Sequence, residues 1–121
     1  MASRQILVPG PDHPITVTPS TAHVVVRAGG RVIADTKRAL ELREASYPPV
    51  FYIPREDAEM ALLERTDHAS YCPYKGEASY FSVADGAANA VWSYEAPYEA
   101  VAAIRDHLAF YPDRVEIEVS R

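Results

Sequence analysis

Short apolar–polar alternations dominate the chain, and they predict strands far more often than helices. Ala22–Arg27 reads as a strand. Gly29-Gly30 supplies the positive φ angles of a tight hairpin turn, and Arg31–Thr36 returns as the partner. Leu40–Arg43 alternates with period two, and Val50–Ile53 is a β-rich run between Pro48-Pro49 and Pro54. Ala69–Tyr74 and Ala78–Val83 are extended around a turn permitted by Gly76. Asp85-Gly86 signals a second turn that leads into Ala90–Tyr94. Val115–Val119 closes the chain as a strand with an acidic outer face. Two segments break the pattern and predict short helices. Arg55–Leu63 opens with Glu56 and Asp57 and carries Met60, Leu62 and Leu63. Pro97–Leu108 repeats Val101, Ile104 and Leu108 at i, i+3 and i+7. There is no β-α-β alternation, so the fold class expected is mainly β (α+β), antiparallel, with two helices.

Composition narrows the partners. The 121 residues suit one domain spanning 1–121, and 48% hydrophobic with 24% charged residues are globular values. A net charge of −5 disfavours nucleic acid and anionic membrane surfaces, whose binding rests on Lys and Arg neutralising phosphate. The one cysteine, Cys72, excludes an intrachain disulfide and a multi-cysteine zinc site. No basic, then apolar leader and no apolar run of about 20 residues is present. Cytoplasmic location follows as the expectation.

Candidate chemistry concentrates in Tyr71-Cys72-Pro73-Tyr74-Lys75-Gly76 and the following Tyr80, which bring a thiol, an amine and phenols together. Lys75 can hold an anionic group, or activate Cys72 if a turn brings the two together. The plainer reading makes Cys72 a small buried hydrophobe and Lys75 a solvated charge. Arg55, Glu56 and Asp57 form a corner able to bind an anion or present a base, or simply to pair with neighbours. Trp92 and Tyr94 share one strand face and Asn89 takes the other; such aromatics are core or a stacking platform. Eight tyrosines exceed phenylalanine and tryptophan together, a composition that suits a polar, aromatic pocket. The four histidines, His13, His23, His68 and His107, are scattered, and phosphate-loop, nucleophile-elbow and zinc-protease motifs are absent.

Several of these stretches together resemble the bacterial proteins grouped as domain of unknown function 427. They are Gly10–Ile15, Ile33–Thr36, Tyr47–Val50, Tyr52–Asp57, Cys72–Tyr80, Asn89–Tyr94 and Ala109–Pro112. The resemblance implies a β-tent-like fold, two small antiparallel sheets leaning over a pocket. Other β-tent groups, such as methionine sulfoxide reductases and cereblon-type domains, carry zinc on paired cysteines. One cysteine does not carry that site over, so neither a metal nor a cofactor is expected. A nucleotidyltransferase label sometimes attached to the family implies a Gly-Ser turn followed by paired carboxylates, and neither Asp35 nor Glu56-Asp57 follows such a turn.

The leading expectation is a small-molecule-binding domain with a polar, aromatic pocket drawn from Lys75, Arg55, Glu56, Tyr74, Tyr80, Trp92 and Cys72. The alternatives are an enzyme using Lys75, Cys72 or Tyr74 as reactive groups in the same pocket, and a protein-interaction module or homodimer.

Overall fold

The computed structural model describes residues 4–84 and 86–121. Among them run ten strands: β1 (Ile15–Pro19), β2 (His23–Ala28), β3 (Arg31–Thr36), β4 (Leu40–Glu44), β5 (Val50–Tyr52), β6 (Leu63–Cys72), β7 (Gly76–Val83), β8 (Val91–Tyr94), β9 (Ala109–Phe110) and β10 (Glu116–Ser120). They form three antiparallel sheets, ordered β1-β4-β5, β10-β2-β3 and β6-β7-β8-β9, where two were expected. Two of the sheets are nearly continuous. Ile53 and Leu108 exchange both backbone hydrogen bonds, at 2.7 and 2.8 Å, and so join β5 to β9 edge to edge.

Alternation along β7 and β8 lets the third sheet serve two cores. Tyr80 pairs with Trp92 and Ala78 with Tyr94 on one face, while Phe81 and Val91 point to the other. The first face packs Tyr80 and Tyr94 with Leu42 and Tyr52, the latter two from the β1-β4-β5 sheet. The second packs Phe81, Val83 and Val91 with Val24, Val26 and Ile33 of the β2-β3 hairpin. Gly29 and Gly30 turn that hairpin at φ +59° and +79°, values that the absence of a Cβ permits without strain.

The predicted helices are the main correction. Arg55–Leu63 is two 3₁₀ turns, Arg55–Asp57 and Met60–Leu62. Glu59 between them gives its N–H to the Ile33 carbonyl at 2.9 Å, a tertiary bond that an α-helix would forgo. Pro97–Leu108 contains only the 3₁₀ run Glu99–Ile104, interrupted by a non-helical Val101. Its apolar period is real, since Val101, Ile104 and Leu108 are all buried. Yet Asp106 N–H bonds the Tyr94 carbonyl and Leu108 bridges Ile53, so sheet-type bonds pull the segment out before a second turn forms. Segments this short gain little from helix propagation. Of the Asp85-Gly86 turn, Asp85 lies outside the described residues; Gly86 N–H closes it onto the Val83 carbonyl. Among the described residues no helix is long and apolar enough to cross a membrane.

Candidate functional site: the cleft beside Trp92

Where the β10 edge of one sheet faces the β5–β9 junction, the sheets do not close on each other. Val24 sits opposite Val119 and Val26 opposite Ile117, so β2 and β10 present a row of branched apolar side chains. Facing them are Phe51, Ile53, Trp92 and Phe110, with Tyr47, Pro48 and Pro49 at the rim. The cleft between them measures about 440 Å³ and its lining is overwhelmingly apolar. Pro48 and Pro49 fix φ at two successive positions and so stiffen the rim loop.

Trp92 is held from two sides. Its indole N–H donates to the Tyr52 hydroxyl at 3.2 Å, and the Tyr111 ring lies against it with centroids 4.5 Å apart. Burial pushes the Tyr52 phenol well above its ordinary range, so it remains a neutral hydroxyl. Tyr111 is pushed up to about 12, by burial first and then by its Tyr80 hydrogen bond. The Tyr80 hydroxyl meets Ser70 Oγ at 2.8 Å and the Tyr111 hydroxyl at 3.3 Å, at the wall of a separate, polar pocket. Trp92 and Tyr80 are thus neighbours on adjacent strands that line different cavities.

The Cys72–Gly76 segment stands elsewhere. β6 ends at Cys72, the chain turns with Lys75 N–H on the Cys72 carbonyl at 3.2 Å, and β7 starts at Gly76. The Lys75 ammonium donates to Glu44 Oε1 at 2.6 Å, and the other oxygen of that carboxylate lies 2.7 Å from His13 Nε2. The His13 ring stacks on Tyr74, 4.2 Å between centroids and 6° from parallel. Lys75 and Glu44 keep only 12% and 14% side-chain exposure. Burial works against the Glu44 charge, but the Lys75 and His13 hydrogen bonds outweigh it and hold the carboxyl below its usual range. Cys72 is half-buried at the edge of the core around Tyr52 and Tyr94. Glu44 and His13 are the residues sequence reasoning missed here; they lie 31 positions apart and share no local motif.

Arg55 belongs to a third cluster. It donates to the Asp106 carbonyl at 2.6 Å, to Ser93 Oγ at 3.0 Å and to Glu95 Oε2 at 2.8 Å. Arg65 grips the same carboxylate with two bonds, at 3.0 and 2.6 Å, and Ser79 adds one at 2.9 Å. Both guanidinium groups lie over the Phe81 ring. The Arg65 bonds, supported by Arg55 and Ser79 against partial burial, lower the Glu95 pKa to about 2. Ser93, fully buried, spends its hydroxyl on the His107 carbonyl at 2.7 Å. Glu56 is exposed and reaches only Arg38, at 3.5 Å, while Asp57 takes a 2.7 Å bond from Thr36.

The seven candidate residues therefore fall into separate places rather than one pocket. Among the described residues no group of three or more His, Cys, Asp or Glu side chains is placed to hold a metal ion. No curated protein matches the chain. A family model described as "Domain of unknown function (DUF427)" matches residues 16–121, which span β1 to the last residue. The chain belongs to that family.

Proposed function

We propose that the protein is a small-molecule-binding domain that takes an apolar or aromatic ligand into the cleft beside Trp92. The observation that carries this reading is the cleft itself: about 440 Å³, concave, and walled by aliphatic and aromatic side chains. That volume falls within the roughly 300–1,000 Å³ typical of small-molecule sites. Apolar surface left open there favours a ligand able to remove it from water, at roughly 25 cal/mol per Å². The β-tent arrangement implied by the family resemblance, sheets leaning together over a pocket, is part of the same proposal. An enzymatic role for Lys75, Cys72 and Tyr74 has less support, since Lys75 is engaged by Glu44 and Tyr74 is stacked on His13.

Trp92 is the only tryptophan, so its emission reports on the cleft directly. Titration with the neutral dye N-phenyl-1-naphthylamine is expected to saturate, quenching Trp92 and sensitising the dye. Ile117→Phe places a larger ring in the cleft and should weaken binding about tenfold, with far-UV circular dichroism unchanged. Binding that fails to saturate, or equal affinity in Ile117→Phe, would contradict the proposal.

A further inference from the structure

Across the Trp92–Tyr111 pair from the apolar cleft lies the polar pocket of about 390 Å³, lined by His68, Tyr80, Asn89, Tyr111, Asp113 and Arg114. Asn89 holds a left-handed backbone, φ +50°, which asparagine tolerates better than most residues. That conformation is fixed from two directions: Asn89 N–H donates to Ser82 Oγ at 2.9 Å, and Thr66 Oγ donates to Asn89 Oδ1 at 2.7 Å. With the carbonyl end of the amide taken, its NH₂ end has no protein partner among the described residues. The His68 ring nitrogens and the Asp113 carboxylate, both on exposed residues, likewise have no protein partner among the described residues and are open to water. Arg114 spends one N–H on the Ala88 carbonyl at 2.7 Å, which fixes the guanidinium at the wall.

The chemistry of the lining selects among ligands. One carboxylate and one guanidinium face the same space, so an anion meets Asp113 and a cation meets Arg114. Aromatic sandwiching of a flat base is ruled out by the rings' own packing. His68 stands edge-on to Tyr80 at 4.4 Å, and Tyr111 lies on Trp92. What remains available is hydrogen-bonding edges: amide, imidazole, carboxylate, guanidinium and the linked Tyr80–Tyr111 hydroxyls. Of these, the carboxylate and the guanidinium can each bridge two neighbouring hydroxyls, the Asn89 NH₂ can donate, and the phenols can both donate and accept.

The geometry points to a second binding site here, for a small neutral polyhydroxylated molecule such as a monosaccharide or polyol. It is independent of the apolar cleft, and neither site needs the other to be occupied.

Amide-resolved NMR titration of the full chain tests it, with glucose, galactose, mannose and glycerol as probes, and adenosine and inorganic phosphate as counter-probes. At least one of the hydroxylated probes is expected to produce saturable shifts centred on 66–70, 88–89, 111 and 113–114. Asn89→Asp keeps the acceptor for Thr66 and replaces the NH₂ donor; Tyr111→Phe keeps the ring on Trp92 and removes the hydroxyl. Each should weaken that binding about five- to tenfold. The proposal is overturned if none of the hydroxylated probes shifts these amides, or if adenosine or phosphate shifts them more strongly. It is equally overturned if a folded Asn89→Asp and a folded Tyr111→Phe both bind like the wild type.

Discussion

Glu95→Ala is expected to lower the unfolding free energy by about 2 kcal/mol at neutral pH, the largest loss from any single polar substitution considered. The Glu95 carboxylate accepts from Arg55, Arg65 and Ser79, and its removal leaves Arg65 without its carboxylate partner and Arg55 with only the Asp106 carbonyl and Ser93. A fully buried pair broken this way costs about 3–5 kcal/mol. Glu95 keeps 31% side-chain exposure, so solvent screening reduces the figure. The pH dependence has a definite sign. A carboxyl titrating at about 2 when folded, against an ordinary 4.5, stabilises the protein above pH 4.5. That contribution is lost as pH falls from 4.5 toward 2. Urea unfolding at pH 7 and pH 2.5 should therefore show the wild-type-to-variant difference shrinking at the lower pH. An equal difference at both values would refute the electrostatic account.

Lys75→Met should cost about 1.5–2 kcal/mol, well beyond the roughly 0.5 kcal/mol typical of a solvated surface lysine. The methionine retains much of the stem, so the loss isolates the charge. Without the ammonium, the Glu44 carboxylate is left largely buried with only His13 as partner. Adding Glu44→Gln to Lys75→Met should then cost less than Glu44→Gln alone, with a coupling of at least about 1 kcal/mol in the double-mutant cycle. Additive losses would show that the pair contributes nothing specific. Affinity of the Trp92 cleft for its dye should be unaffected, because Lys75 lies outside its lining.

Strand content was legible because alternation is local. The Gly29-Gly30 hairpin and the shared face of Trp92 and Tyr94 follow from period two and turn chemistry alone. β1 escaped notice because Pro14 precedes it and Pro19 ends it, masking its alternating Ile15 and Val17. Asn89 precedes β8 rather than lying on it, in a left-handed turn that asparagine often marks. The helices failed for a different reason. Their apolar spacing reported burial correctly, but competing bonds to Ile33, Tyr94 and Ile53 come from distant strands. The same distance hid the Lys75–Glu44–His13 and Arg55–Glu95–Arg65 clusters, since ionic partners carry no periodic signal. Val24 and Val26 are fully buried in the core, whereas beside them Ile117 is half-buried and Val119 is 38% exposed. That Ile117 and Val119 line an open cleft depends on how two sheets are placed, which no local pattern encodes.

Methyl-resolved NMR with bound N-phenyl-1-naphthylamine tests the ligand-binding proposal most directly. Intermolecular nuclear Overhauser effects are predicted from the dye to methyls of Val50, Ile117 and Val119, which line the cleft beside Trp92 and keep part of their surface open. Effects confined to Ile6, Leu7 and Val8, which line a separate apolar groove against Tyr74 and Tyr98, would contradict it, as would no effects at all.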